Sequence, residues 1–292
     1  MSSMREIKQR ITATSKTSQI TKAMHMVSAS KLKKAERNIV AFRPLTERLS
    51  RTLSHILASD STLSHAMLEA RDIKRTVYLL ISSDRGLAGP YNASVFKAFE
   101  YHIEKEHRSH DDFVVAPIGF KASNYVKRKG YHTLNDDVIQ VRDDVQFLDF
   151  QTVSDAFIKG YLKGDFDRIV VFYNKFINTM TQTVEHQTLI PMVLNPFIDT
   201  QKKEGLQSLY VFEPDAGTVL NDLLPMYVVN VLYGMILEAK ASEHAARMTA
   251  MKNATDNAKE LIRTLKLSYN RARQDAITIE LTDIIGGANA VN

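Results

Sequence analysis

The sequence contains no cysteine and no tryptophan, and its few glycines and prolines are unevenly placed. The lack of cysteine excludes a disulfide-stabilised scaffold, a thiolate nucleophile and cysteine-ligated zinc. No uncharged apolar run approaches the ~20 residues of a membrane-spanning helix, and the best run, 77–81, has the length of a strand. The N-terminus lacks the apolar core of a signal peptide. With 292 residues, 44% of them hydrophobic and 24% charged, the chain is expected to form one to three globular domains.

Positive charge is concentrated at the N-terminus. Residues 1–51 carry 12 Lys and Arg against three acidic residues, a net charge of +9, whereas the remaining residues have a net charge of −4. Such asymmetry indicates that the first segment meets an acidic surface, which could belong to nucleic acid, anionic lipid or protein. A solvated helix face explains the same charge without any partner.

Helix-breaking residues are absent from both ends of the chain. Residues 1–85 contain no glycine and a single proline, Pro44, and residues 235–285 contain neither. Both segments are therefore predicted to form helices far longer than the mean of ~11–12 residues. A helix of that length must pack on another helix or on a partner, and Pro44 is expected to bend the first one.

The last helix carries a heptad pattern of small and apolar residues in which only Thr255 is polar. This predicted seam consists of Leu237, Ala241, Ala245, Met248, Met251, Thr255, Ala258, Ile262, Leu265, Tyr269, Ala272, Ala276 and Ile279. The first helix has a weaker track of Ile7, Ile11, Thr14, Ser18, Thr21, Ser28, Leu32, Ala35, Ile39, Phe42, Leu49 and Leu53. Its small middle fits an alanine-rich neighbour, so the two ends are predicted to pair as an antiparallel coiled coil.

Between the two helices the pattern changes to short apolar runs that alternate with helical stretches. Runs rich in Val, Ile, Phe and Tyr are predicted strands at 77–82, 113–118, 169–173 and 209–212, with a further, antiparallel strand at 181–188. The predicted fold class is α/β, a long antiparallel coiled coil of the terminal helices plus a small central α/β domain. The predicted divisions are 1–60 for the first helix, 75–215 for the central domain and 218–285 for the last helix.

Motifs of enzyme chemistry are nearly absent. The loop 82–90 (SSDRGLAGP) follows the first strand, where an α/β fold places a phosphate loop, but it lacks both the dinucleotide-binding spacing and the lysine of a P-loop. A structural turn is the better interpretation. His102, His107 and His110 cluster, yet their spacing does not place all three on one helix face, so a metal site is not expected. No active site and no cofactor are predicted.

Five segments carry a resemblance to a known family. They are 20–31 (ITKAMHMVSASK), 83–89 (SDRGLAG), 174–180 (NKFINTM), 243–258 (EHAARMTAMKNATDNA) and 267–281 (LSYNRARQDAITIEL). In this order, and across the whole chain, they resemble the gamma subunits of rotary F-type ATP synthases. The chain departs from the family pattern at Pro90, where another glycine is common, and at Asp283, where glutamate is common.

The resemblance implies a rotor shaft without an active site of its own. Its partners would be the alpha and beta subunits of a catalytic head, in a 3:3:1 ratio with this chain, together with an epsilon subunit and the membrane c ring. It would couple ion transport, of hydrogen ions or of sodium ions, to ATP synthesis and regulate ATP hydrolysis, with no nucleic acid and no direct small-molecule substrate. The expected location is the cytoplasmic face of a bacterial cell membrane, as a peripheral part of the complex.

The resemblance also assigns partner-binding residues. Arg273, Gln274 and Thr278 match residues that bind an acidic catch loop of the beta subunit. Residues expected to face the beta lever are Met24, Lys31, Lys33 and Lys34. Residues expected in the foot, near the c ring and the epsilon subunit, are Tyr210, Glu213 and Asp215.

Two other functions account for part of the pattern. A basic coiled-coil nucleic-acid binder would explain the charge of residues 1–51 and would bind with a steep salt dependence, but it would not need the C-terminal motifs. A nucleotide-using α/β enzyme would need a ligand at the loop 82–89. The two alternatives are distinguished by what the loop and the terminal helices contact.

Overall fold

The computed structural model describes residues 3–59, 63–134, 138–144, 146–192 and 212–291, which contain long and short α-helices and one four-stranded sheet. The α-helices are α1 (Met4–Ser59), α2 (Tyr91–Glu106), α3 (Phe120–Lys129), α4 (Phe147–Lys163) and α5 (Ala216–Val291). The strands are β1 (Thr76–Ile81), β2 (Phe113–Ile118), β3 (Arg168–Phe176) and β4 (Gln182–Ile190). The predicted class, an α/β protein with long terminal helices, is confirmed.

The sheet has the strand order β2-β1-β3-β4. β1 pairs in parallel with both β2 and β3, and β4 pairs antiparallel with β3, as the pattern of residues 181–188 predicted. Parallel strands must be joined by crossover connections, which α2 supplies between β1 and β2. The predicted strand at 209–212 lies almost entirely outside the described residues.

Both faces of β1 and β2 are buried, and so is the middle of β3, which explains why these strands are continuous apolar runs. Along β1, Val77, Leu79 and Ile81 face a core shared with α1, α4 and α5. Tyr78 and Leu80 face a second core shared with α2 and α3. The side-chain period of two in a strand divides these five residues between two cores.

The first turns of α5 are a core helix of this sheet. An 18-residue window in this helix is apolar and long enough to cross a membrane, with a mean hydropathy of 1.4, which the sequence interpretation overlooked. Leu220, Leu224, Val228, Leu232 and Ile236 are however buried against the sheet core. Their spacing of four residues places them on one helix face, and this packing accounts for the apolar window.

The chain packs as two units. One, called the helical unit here, contains Met1–Ala29 and Arg247–Asn292; the other, the sheet unit, contains Ser30–Ala246. α1 and α5 each contribute residues to both units. The packing therefore groups the chain differently from the three sequence divisions, which follow the helix ends.

Candidate functional site

The seam of the helical unit is small and partly polar. Met251, Thr255 and Ala258 of α5 are buried, as are Thr21 and Ser28 of α1. The Thr255 hydroxyl lies 2.7 Å from the Thr21 hydroxyl and 2.8 Å from the Met251 carbonyl oxygen. The buried hydroxyls are thus hydrogen-bonded at little cost in volume, and a polar contact of this kind specifies the register of two helices.

The two helices of this unit run antiparallel. Leu265, Tyr269 and Ala276 of α5 remain half-buried well beyond Thr255. Within the described part of this unit, the α1 residues that can cover them are those that precede Thr21. Residues after Thr255 therefore pack against residues before Thr21, which means that the two helices run in opposite directions. The predicted seam residue Ile279 is 62% exposed, so the seam extends less far than the heptad pattern.

The same helices are also in contact within the sheet unit. The rings of Phe42 and Tyr233 meet edge to face with centroids 5.0 Å apart. The Tyr227 hydroxyl hydrogen-bonds to Ser50. Ser50 follows Phe42 along α1, whereas Tyr227 precedes Tyr233 along α5. The contacts advance in opposite directions, so the pairing is antiparallel here as well.

A partly buried ionic cluster joins both helices to the α/β domain. We call Lys31, Asp143, Lys240, Glu243 and His244 the anchor. The Lys31 ammonium lies 2.6 Å from one oxygen of Asp143, while the Lys240 ammonium and His244 Nε2 lie 3.5 and 3.4 Å from the other. Lys240 also donates to the Val141 carbonyl oxygen at 3.0 Å and to Glu243 at 2.9 Å. One loop carboxylate therefore bridges α1 and α5.

Opposite charges determine the ionisation of Asp143. Burial alone would raise the pKa of this carboxyl, but the hydrogen bond from Lys31 and the charges of Lys240, Lys31 and His244 outweigh it and lower the pKa to about 2. Because the pKa in the folded state lies below its ordinary value of 3.8, the ionised form is favoured by folding.

Acid should therefore weaken the anchor. The stabilisation by Asp143 is complete above pH ~4 and is lost as the pH falls through about 2. Asp143 is 41% exposed, so we expect a contribution of only about 1 kcal/mol. Acid unfolding followed by circular dichroism should show Asp143→Asn to be less stable than the parent at pH 6 and nearly equal to it at pH 2. Asp144→Asn, the matched control, should follow the parent; identical curves for both variants would contradict the assignment.

A hydroxyl group holds α2 and the sheet to α5 next to the anchor. The Tyr91 hydroxyl donates to the Ala239 carbonyl oxygen at 3.0 Å. The Asn174 side chain of β3 donates in turn to the Tyr91 carbonyl oxygen at 3.0 Å. These contacts connect the centre of the sheet to the α5 segment that carries Lys240.

The predicted catch residues lie together on α5. Arg273, Gln274 and Thr278 are all exposed. Helix geometry places Gln274 and Thr278 on the side opposite Ala272 and Ala276, which are half-buried against the paired helix. The Thr278 hydroxyl donates to the Gln274 carbonyl oxygen at 3.0 Å, and both residues are exposed to solvent.

The predicted lever residues are divided between two environments. Lys33 and Lys34 are exposed, and Met24 is half-buried. Lys31 belongs to the anchor, where its ammonium group pairs with Asp143 of the same chain. One of the three lysines assigned to a partner surface thus already has an intramolecular ion pair.

The foot assignment is only partly visible. Tyr210 lies outside the described residues, and Glu213 is exposed. Asp215 caps α5, accepting hydrogen bonds from the Thr218 amide at 2.9 Å and its hydroxyl at 2.7 Å. These bonds lower the pKa of Asp215. The spacing of Asp215 and Thr218 is a signal of helix capping that the sequence interpretation missed.

The loop after β1 is a structural turn, as predicted. Asp84 accepts hydrogen bonds from the amides of Phe120, the first residue of α3, at 2.9 Å, and of Val141 at 3.1 Å. A helix N-terminus is where an anion would bind, and here the chain's own carboxylate occupies it. Asp84 therefore ties this turn to the start of α3, the helix that follows β2.

The histidine cluster packs as part of the domain rather than as a solvated helix end. His107 Nε2 lies 2.7 Å from the Tyr78 hydroxyl, and the His102 ring lies 4.8 Å from that of His186. Burial lowers the pKa of both His102 and His107. No group of three or more His, Asp or Glu side chains in the described residues is placed to hold a metal ion.

The anchor was missed from sequence, although a signal for it exists. Lys240, Glu243 and His244 share one helix face and interrupt an otherwise apolar stretch of α5. A polar triplet at core positions indicates buried ionic partners. Their partner Asp143 could not be identified, because it lies in a distant loop.

Comparison with known proteins places the whole chain in one group. A family model described as ATP synthase matches residues 3–291. The chain is 44% identical over 291 residues to the ATP synthase gamma chain of Staphylococcus saprophyticus and 42% identical over 294 residues to that of Macrococcus caseolyticus. Each alignment covers 100% of both proteins.

Solved structures agree with this similarity. A chain of the central stalk and c-ring of Tetrahymena thermophila mitochondrial ATP synthase is 25% identical with a TM-score of 0.59, covering 80% of this chain and 99% of that one. A chain of the Euglena gracilis mitochondrial ATP synthase, in a structure of OSCP, F1 and c-ring, has a TM-score of 0.65 and covers 99% of this chain and 94% of that one. At 17% identity the second likeness is one of fold.

Proposed function

Because the chain belongs to the family of ATP synthase gamma chains, we propose that it is the central rotor shaft of an F-type ATP synthase. The observation that carries this proposal is the 44% identity to a gamma chain over the full length of both proteins. In this role the chain couples ion-driven rotation of a membrane c ring to ATP synthesis or hydrolysis in the catalytic head. It thereby regulates both ATP hydrolysis and ion flow.

The helix pair suits a part that carries torque. Two helices in close contact resist bending and twisting better than a single one, and the small seam around Thr21 and Thr255 allows the close approach. In the sheet unit, the anchor binds α1 and α5 to a single loop carboxylate. Force applied to the α/β domain therefore reaches both helices through short ionic contacts.

A single asymmetric chain can give three chemically identical neighbours three different states. Each face of the helix pair presents different side chains, so each neighbour meets a different surface at any moment. A surface shifts a neighbour's conformational equilibrium only by its differential affinity for the alternative states. Turning the shaft would pass that bias from one catalytic subunit to the next.

In this proposal the chain performs no bond chemistry and holds no cofactor. The nucleotides would bind to the alpha and beta subunits, three of each around one copy of this chain. The loop 82–90 supports this division, since it has neither the glycine spacing of a dinucleotide-binding loop nor the lysine of a P-loop. The complex would lie at the cytoplasmic face of a bacterial membrane, where an epsilon subunit and the c ring contact the foot.

Contacts with the head are proposed for two groups of residues. Arg273, Gln274 and Thr278 would hydrogen-bond the beta catch loop, an assignment supported by their common exposed face. Lys33 and Lys34 would face the beta lever. Met24 would lie in the same sliding contact between the shaft and the beta subunits. Glu213 and Asp215 would lie in the foot near the c ring, with Tyr210.

Rotation of this chain can be observed directly. Since the native chain has no cysteine, Met180→Cys, at a position that is 92% exposed, would give a unique attachment point for an optical probe. In a surface-fixed head reconstituted from alpha, beta and this variant, ATP should turn the probe in one direction with three resting orientations. Heads supplied with ADP alone serve as the control.

Two results would contradict the shaft role. One is a head that hydrolyses ATP at the full rate while the probe stays still. The other is a head of alpha and beta subunits whose ATP turnover is the same with and without this chain.

A further inference from the structure

A cavity of about 270 Å³ lies within the sheet unit, between α1, α5 and the strands β3 and β4. Its apolar wall includes Phe42 of α1 with Val231 and Leu237 of α5. The volume is at the lower end of the range for small-molecule sites. The cavity can therefore hold a one- or two-ring molecule but not a large ligand.

Asn230 contributes a buried acceptor to this cavity. Its side chain is fully buried, and its Nδ2 donates to the Met226 carbonyl oxygen at 2.7 Å. This bond determines the orientation of the amide, and Oδ1 has no hydrogen-bond partner among the described residues. Because a buried acceptor without a partner is costly, Oδ1 indicates that a ligand donor belongs in the cavity.

Glu238 contributes a second acceptor, two helical turns further along α5. Its carboxylate hydrogen-bonds to the Tyr173 hydroxyl, and Oε2 finds no partner in the described part of the chain. Burial raises the pKa of Glu238, against the opposing effect of Lys175 and Arg43. An N–H or O–H donor from a ligand would satisfy this oxygen in either protonation state.

The remaining charges at the cavity disfavour a charged ligand. Arg43 and Lys175 both line it, and Lys175 lies 3.1 Å from Glu185 across the β3–β4 pair. Glu185 offsets Lys175 and Glu238 offsets Arg43, so a charged ligand of either sign, an ammonium or amidinium ion included, would find no free counter-charge among the described residues. The chemistry that fits is a neutral ring with at least one hydrogen-bond donor.

We propose that this cavity binds a neutral aromatic molecule of one or two rings whose N–H or O–H group donates to Asn230 Oδ1, while Glu238 can accept from a second donor where the molecule has one. The ring packs against Phe42, Val231 and Leu237. The occupant would contact α1, α5 and β3 together, so binding stabilises the sheet unit by mass action. This site is separate from the partner contacts of the proposed shaft and does not depend on them.

Indole and 1-methylindole provide a matched test, because they differ in the single N–H donor. With the purified full-length chain, ligand-detected NMR and calorimetry should give indole a Kd on the order of 1 mM, a value that suits so small a molecule. We expect 1-methylindole to bind at least about tenfold weaker, the effect of one lost hydrogen bond to a buried acceptor. This comparison needs no variant of the protein.

Variants locate the site. Val231→Phe should fill the cavity and abolish indole binding, and Asn230→Leu should weaken it by about tenfold. Asn221→Leu, an exposed position on the same helix, is the control and should bind as the parent does. Equal binding of indole and 1-methylindole, retention of binding in Val231→Phe, or no binding of indole at about ten times the expected Kd would overturn the proposal.

Discussion

Replacing Arg273 and Gln274 together by alanine should lower ATP turnover of the reconstituted head by about tenfold to a hundredfold, while the head still assembles. Both side chains are exposed on α5, so their removal leaves no buried group unpaired in the shaft itself. The proposed contact with an acidic loop involves charge-assisted hydrogen bonds, which are stronger than neutral ones. Losing two of them would uncouple the loop from the shaft.

The measurement is steady-state ATP hydrolysis by heads of equal subunit composition. Lys266→Ala is the control, since Lys266 lies one heptad before Arg273 on the same face and also carries an exposed charge. The control should keep its turnover to within about twofold, as expected for an exposed side chain away from the contact. Unchanged turnover in the double variant would count against the catch assignment.

The second large effect concerns Lys240 of the anchor. Lys240→Met should lower the free energy of unfolding by about 3–5 kcal/mol, the cost of removing one partner of a buried ion pair. The Lys240 side chain is only 7% exposed and that of Glu243 only 4%, and their charged groups lie 2.9 Å apart. Methionine preserves most of the volume, so the loss would be electrostatic rather than a cavity effect.

Urea unfolding of the full-length chain tests this prediction. Adding Glu243→Gln to Lys240→Met should recover part of the lost stability, because it removes the buried negative charge. Lys252→Met replaces an exposed lysine of the same helix and should change the free energy of unfolding by no more than about 0.5 kcal/mol. A Lys240→Met variant as stable as this control would show that the anchor contributes little.

Much of the helical architecture could be predicted from local pattern. The absence of glycine and proline indicated the long helices, and Ala245, Met251 and Thr255 are buried as the heptad pattern required. Proline predicted the start of α5 less well, because this helix continues through Pro225. Burial of its apolar face in the sheet core outweighs the ~3 kcal/mol that proline costs inside a helix.

The roles of the candidate partner residues, in contrast, could not be predicted from local pattern. Arg273, Gln274 and Thr278 were identified by resemblance, and periodicity predicted only that they lie on an exposed face. Nothing in the pattern around Lys31 indicated that its charge is directed to Asp143, which is 112 positions away. An ion pair between distant segments leaves no local periodicity from which it could be predicted.

The amino-acid sequence by itself determined the family, the two long helices, the alternation of the middle and the small seam, because each depends on residue types at short, regular spacing. Only the tertiary structure decided that the seam between α1 and α5 ends before Ile279 and that Asp143 bridges the two helices. It also decided that Asp84 occupies the anion position at the N-terminus of α3. Those features arise when distant segments are brought within a few ångströms, where charge, burial and hydrogen bonding act together and spacing along the chain no longer matters.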